Sequence, residues 1–120
     1  MAQSWAVEFY ESDEHGCPVQ DFLDSLDKPR RAKLLAIIAF LREQGPTLPF
    51  PYSSQVRGKI RELRTQYGKE RYRILYFGAP GRVFVLLHAL EKDTARIPEG
   101  DIAIAEARMK QHLKRQEMKP

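Results

Sequence analysis

The segment from residue 57 to residue 73 constrains the fold of this chain more than any other segment. It carries seven lysines and arginines against two acids, Glu62 and Glu70. Its apolar and β-branched residues are spaced as in two neighbouring strands, so the cations would share one sheet. A buried strand rarely carries so much like charge, because each buried cation needs an anionic partner. We therefore predict a sheet surface that binds a polyanion outside the chain.

The net charge of +4 hides an uneven distribution along the chain. Residues 1–27 contain seven acids and no lysine or arginine, whereas residues 28–45 carry five cations and one glutamate. With 120 residues, 42% of them apolar, the chain has the composition of a single folded domain spanning residues 1–120. It shows no signal-peptide pattern, no apolar run of the ~20 residues that a membrane helix needs, and one cysteine, Cys17. We expect a cytoplasmic protein without membrane contacts.

The first half of the chain predicts one strand followed by two helices. Alternating aromatic and β-branched residues at 5–10 indicate the strand. Apolar residues at helical spacing predict a short helix from Pro18 to Leu26. Asp27 can cap a second helix, which ends at Gly45. We expect these helices to form a hairpin on a sheet.

The second half predicts three strands and a final helix. The connector 46–56 holds three prolines and no charge before residue 57, so it is predicted to be irregular. Strands are predicted at about 59–65, 70–78 and 82–90, and the helix begins at Pro98. The predicted fold class is therefore α+β: a small, antiparallel-rich sheet packed on a two-helix hairpin, plus a C-terminal helix.

The hairpin between the last two strands predicts which residues share a face. Pairing Phe77 with Arg82 would place Arg71 opposite His88. Arg71, Arg73 and His88 would then lie on a sheet face that no helix covers. The apolar neighbours on that face would be Leu75, Phe77 and Phe84. Such a face, part cationic and part apolar, suits a nucleic acid.

Several segments, in this order and spacing, resemble the RelE/HigB/ParE superfamily of bacterial toxins, and most closely its phage-derived, HigB-like branch. The segments are PVQDFLDSL at 18–26, ELR at 62–64, YRILYF at 72–77 and LHALEK at 87–92, followed by the helix that begins at Pro98. The resemblance spans roughly residues 5–113. It implies the RelE-like toxin fold.

The resemblance also implies an activity. Members of this superfamily include mRNA endonucleases that act on the ribosome, without metal or cofactor, and are held inactive by an antitoxin, often a helix-turn-helix protein. By position, Arg64 and Arg73 match the strand arginines that hold the scissile phosphate. Lys92 matches a basic residue after the last strand, and His88 matches a histidine common in this branch. Two positions depart from RelE: Glu62 stands where RelE has lysine, and no tyrosine lies near Ile102.

These residue types fit the chemistry of RNA cleavage by the 2′-hydroxyl group. A base must accept the 2′ proton, cations must stabilise the phosphorane, and an acid must protonate the 5′ oxygen. The planar guanidinium groups of Arg64 and Arg73 suit the second task. His88 suits either proton transfer, and Lys92 can act as an electrostatic clamp or as an acid. The remaining cations form a predicted RNA-binding surface: Arg57, Lys59, Arg61, Lys69 and Arg71.

Other functions remain open. A ParE-like poison of DNA gyrase shares the fold without cleaving RNA. A phage remnant that only binds a partner would use none of the candidate catalytic residues. Arg64 and Arg73 could instead have a structural role, paired with Glu62 and with the acidic N-terminal segment.

Overall fold

A five-stranded mixed sheet forms the centre of the structure, a computed structural model that describes residues 5–14, 16–92 and 95–118. The strands are β1 (Ala6–Phe9), β2 (Ser53–Arg57), β3 (Ile60–Tyr67), β4 (Glu70–Ala79) and β5 (Val83–Lys92). Their order is β1-β5-β4-β3-β2. Strand β1 runs parallel to β5, and the other neighbours are antiparallel. The predicted α+β class and antiparallel-rich sheet are confirmed.

Three helices complete the fold: α1 (Pro18–Asp24), α2 (Lys28–Gln44) and α3 (Glu99–Met118). Asp27 caps α2 as predicted, because its side chain accepts a hydrogen bond from the Arg30 amide. Gly45 ends α2 with a φ of 64°, a conformation that glycine adopts without strain. No helix in the described part of the chain is both long and apolar enough to cross a bilayer.

The connector 46–56 is only partly irregular, so that prediction is wrong in its second half. Residues 53–57 form β2, which pairs with β3. The sequence SSQVR hides this strand because it has one apolar residue, Val56. Pairing with β3 satisfies its backbone, which a local pattern does not show.

Helices cover both faces of the sheet. Helices α1 and α2 pack on one face, with Tyr72, Ile74 and Leu86 in the core between them. Helix α3 packs on the other face, through Ala105. The predicted open face is therefore wrong: Leu75 and Phe77 lie there, 0% and 1% exposed, in the core beside α3. The apolar stripe of α3 needs an apolar surface, and this face supplies it.

The predicted register between β4 and β5 is also wrong. The strands continue to the pair Ala79–Val83, so the loop is shorter than predicted, and Arg82 adopts a positive φ of 60°. A bulge follows at Leu75. Before the bulge the new register turns β5 over, because side chains alternate between faces, so Phe84 packs in the core with α1 and α2 and Val85 in the core with α3. Beyond the bulge the faces are as predicted, and His88 shares a face with Arg71 and Arg73. In the observed register Arg73 lies opposite Leu90, Arg71 opposite Lys92, and Leu75 opposite His88.

Candidate functional site

Four charged side chains, Glu62, Arg64, Arg73 and Lys92, form a group that we call the charged cluster. Arg64 and Arg73 are directly paired across β3 and β4, so their side chains are neighbours on one face. Glu62 lies on the same face of β3, and Lys92 ends β5. A cavity of about 320 Å³, reaching the start of α3, is lined by Glu62, Arg64 and Lys92.

Burial sets the charged cluster apart from the rest of the basic surface. Arg73, Glu62 and Lys92 are only 4%, 7% and 8% exposed. Arg73 Nε lies 3.0 Å from Glu62 Oε1, but the two atoms are not aligned as a hydrogen bond, and neither has another partner among the described residues. Arg64 Nη1 lies 3.4 Å from Glu62 Oε2. The ion pair is therefore close but incompletely satisfied.

The cluster holds three cations and one carboxylate, and the electrostatics reflect this imbalance. Burial lowers the pKa of Arg73, and the charge of Arg64 lowers it further. Burial also lowers the pKa of Lys92, and the charge of Arg73 adds to the effect. Both shifts mean that the positive charges are costly in the free protein. An anion placed in the cavity would relieve that cost.

His88 lies on the same face as the cluster but is engaged elsewhere. It is opposite Leu75, two residues along β4 from Arg73. Its Nε2 is 2.6 Å from Asp101 Oδ1 and its Nδ1 is 3.3 Å from Arg108 Nη1. These contacts fit a neutral ring that donates from Nε2 to Asp101 and accepts at Nδ1 from Arg108. The proton-transfer role of His88 stays a prediction.

The five predicted RNA-binding cations do not form one surface. Arg57 pairs with Glu99 at 2.7 Å and lies 3.8 Å from Glu106, both on α3. Arg61 Nε donates to Ser53 Oγ at 3.1 Å. Lys59 and Lys69 lie in exposed turns, and Arg71 is exposed on β4 next to the charged cluster. Arg71 is thus the member closest in register to Lys92.

A second concave surface adjoins the cluster and has no counterpart in the sequence-based predictions. This surface, the aromatic groove, has a volume of about 690 Å³ and lies between α2 and β3. Phe40, Tyr52, Arg64 and Arg73 are among its lining residues. Phe50 stands beside Arg64, whose Cζ is 5.1 Å from the ring centroid. The uncharged, proline-rich connector was a signal for such a site, since Phe50 and Tyr52 lie in it.

The α+β fold, with its five-stranded mixed sheet, two N-terminal helices and C-terminal helix, is compatible with the RelE-like fold. The chain belongs to the family of phage-derived Gp49-like proteins (DUF891), whose family model matches residues 21–110. That family is part of the RelE/ParE-like toxin superfamily, so the predicted superfamily and phage-derived origin are confirmed. The HigB-like branch stays a prediction. No curated protein matches the chain.

Proposed function

We propose that this chain is the toxin of a type II toxin–antitoxin pair and that it cleaves mRNA on the ribosome. The observation that carries the proposal is the charged cluster: Arg64 and the buried Arg73 pair with the single carboxylate of Glu62, and the buried Lys92 lines an open cavity with Arg64 and Glu62. Membership of the RelE/ParE-like superfamily supports the toxin class. A small antitoxin and the ribosome are the partners that this function requires.

The cluster suits a phosphodiester because its charge is positive and already assembled. Arg64 and Arg73 can donate to two oxygens of one phosphate, as paired guanidinium groups do. When the 2′ oxygen attacks phosphorus, the equatorial oxygens gain charge, and fixed cations stabilise that state most strongly. The bond to the 5′ oxygen then breaks, leaving a 2′,3′-cyclic phosphate and a 5′-hydroxyl end.

Lys92 is the proposed proton donor to the leaving 5′ oxygen. Its lowered pKa makes the ammonium group a stronger acid than an exposed lysine. The Glu62 carboxylate, already in contact with Arg73, and the His88 imidazole are the two candidates to accept the 2′ proton. For His88 this role requires that the contact of Nδ1 with Arg108 opens, because Nδ1 is the nitrogen with a free lone pair.

Controlled expression in cells tests the function, with the ends of cellular transcripts mapped afterwards. We expect growth to stop and new 5′-hydroxyl ends to appear within translated codons. Arg73→Ala should abolish both effects, whereas Arg42→Ala, on an exposed cation of α2 outside every predicted site, should retain them. A DNA-damage response with intact transcripts would instead identify a gyrase poison. Growth arrest that survives Arg73→Ala would point to a protein that acts only by binding.

A further inference from the structure

The aromatic groove next to the charged cluster has a composition that RNA cleavage alone does not explain. We propose that it binds a nucleobase of single-stranded RNA, one nucleotide away from the phosphate held by Arg64 and Arg73. The inference rests on the proposed function for the identity of its substrate. It assigns a binding role to Tyr52, which lines the groove, and to Phe50, which is not a lining residue but stands beside the groove against Arg64.

Two aromatic rings of the connector are exposed to solvent. Phe50 is 70% exposed and Tyr52 is 43% exposed, and they are the two aromatic residues among the exposed large apolar side chains of the described residues. Both belong to the connector, two positions apart. Bases of single-stranded RNA stack on such rings, and the stacking tolerates different sequences because every base has a π-face.

Neighbouring residues hold the Tyr52 ring in place. Phe40 of α2 meets it edge to face, with ring centroids 5.1 Å apart. The Tyr52 carbonyl also accepts a hydrogen bond from the Arg64 amide at 2.9 Å, which fixes the backbone beside β3. A ring that is already ordered loses little entropy when a base stacks on it.

The aromatic groove is continuous with the proposed phosphate site. Arg64 lines both the aromatic groove and the cavity of the charged cluster, and Arg73 also lines the groove. A phosphate held by these two arginines would therefore sit at the mouth of the groove. The groove volume of about 690 Å³ is within the range of sites that hold small ligands.

The positive charge of the groove lining favours a nucleotide over a protein segment. Three cations, Lys33, Arg64 and Arg73, line the groove, against one acid, Glu43. An apolar helix seated in the groove would desolvate these cations without pairing them. A nucleotide brings a flat apolar base for the rings and a phosphate for the cations.

Binding of short oligonucleotides by the full-length chain tests this inference. The first probe is a fluorescein-labelled pentanucleotide with deoxyribose throughout, which lacks the 2′-hydroxyl needed for cleavage. The second has the same backbone with abasic sugars. Phe50→Ala and Tyr52→Ala should each raise the Kd for the first probe about 5- to 150-fold, the range expected for losing one base stack. The Kd for the abasic probe should stay the same.

Two control variants separate stacking from general damage. Tyr52→Phe keeps the ring and should bind the first probe as the natural chain does. Leu35→Ala removes an exposed apolar side chain of α2 that does not line the groove. Leu35 is 47% exposed, and its loss should leave the Kd for both probes unchanged. The large exposure of Phe50 means that Phe50→Ala should fold even if Tyr52→Ala does not.

The outcomes distinguish the groove from the proposed function. Equal loss on both probes, no loss on either, or no preference of the natural chain for the base-bearing probe overturns the nucleobase site. Unchanged oligonucleotide binding together with lost co-purification of the antitoxin would make the groove a protein-binding surface and also overturn it. If the natural chain cleaves no RNA but loses base-dependent binding on Phe50→Ala, the groove stands and the endonuclease proposal falls.

Discussion

Glu62→Gln is the substitution that should reveal the electrostatic cost of the charged cluster. It keeps the size of the side chain but removes the negative charge, leaving Arg73 buried at 4% exposure with Arg64 and Lys92 as neighbours. Removing one partner of a buried ion pair typically costs about 3–5 kcal/mol. The pair here is 3.0 Å apart but lacks hydrogen-bond alignment, so we expect the lower end, about 3 kcal/mol.

Urea unfolding followed by circular dichroism measures this change. With a slope of about 1.5 kcal/mol per molar urea, a loss of about 3 kcal/mol lowers the midpoint by about 2 M. Glu91→Gln, on an exposed acid of the same sheet, is the matched control and should cost less than about 0.5 kcal/mol. Inorganic phosphate should stabilise Glu62→Gln more than the natural chain, because the freed cations bind it. Equal free energies of unfolding for Glu62→Gln and the natural chain would refute the reasoning.

Three further predictions follow from other contacts. If Lys92 donates a proton, the cleavage rate should fall as pH rises through the lowered pKa of Lys92. In a pH–rate profile, Lys92→Arg should move this alkaline decline to higher pH. An unchanged profile would exclude Lys92 as the proton donor. Arg30 lowers the pKa of Glu70 to about 2, whereas a glutamate in the unfolded chain has a pKa of about 4.3. The contact between Arg30 and Glu70 therefore stabilises the fold fully above about pH 4.3, and this stabilisation is lost as pH falls toward 2. Thermal unfolding should therefore show Glu70→Gln less stable than the natural chain at pH 7 and equal to it near pH 2; a constant difference would contradict this. Gly45→Ala should lower the melting temperature by several degrees, because the φ of residue 45 is 64° and the new Cβ would lie 3.2 Å from the Trp5 ring. An unchanged melting temperature would show that the end of α2 adapts to the new side chain.

Most helices and strands could be predicted because their signals are local. The cap at Asp27, the stop at Gly45 and the apolar stripe of α2 all lie within one segment, and each is present in the structure. Strand β2 was missed because its polar sequence is stabilised by pairing with β3 rather than by its own pattern.

The other two wrong predictions, the β4–β5 register and the open face, concern relations between distant segments. The loop after β4 could close at more than one pair of residues, and the observed pair Ala79–Val83 reverses β5 only up to the bulge, relative to the predicted pair. The covering of the second face depends on where α3 docks, which its own sequence does not reveal. That docking brings Asp101 of α3 into contact with His88.

The charged cluster was predictable in part. Arg64 and Arg73 are brought together as directly paired residues of β3 and β4. Pairing of Arg64 and Arg73 with Glu62 was an alternative interpretation of the sequence, and both contacts are present in the structure. The burial of Glu62 and Arg73 was not predicted, because it depends on how α3 covers this face. The aromatic groove needs both α2 and the connector in place, so no single segment predicts it.

The cleavage rate of one translated mRNA in a reconstituted translation system tests the central claim most directly. The comparison is between the natural chain, Arg73→Ala and Arg42→Ala, a variant of an exposed cation on α2, each first shown to be folded. If the charged cluster stabilises the phosphorane, Arg73→Ala should slow cleavage about 10²- to 10³-fold, while Arg42→Ala stays near the natural rate. Cleavage by Arg73→Ala at the natural rate, or an equal loss in both variants, would contradict the account.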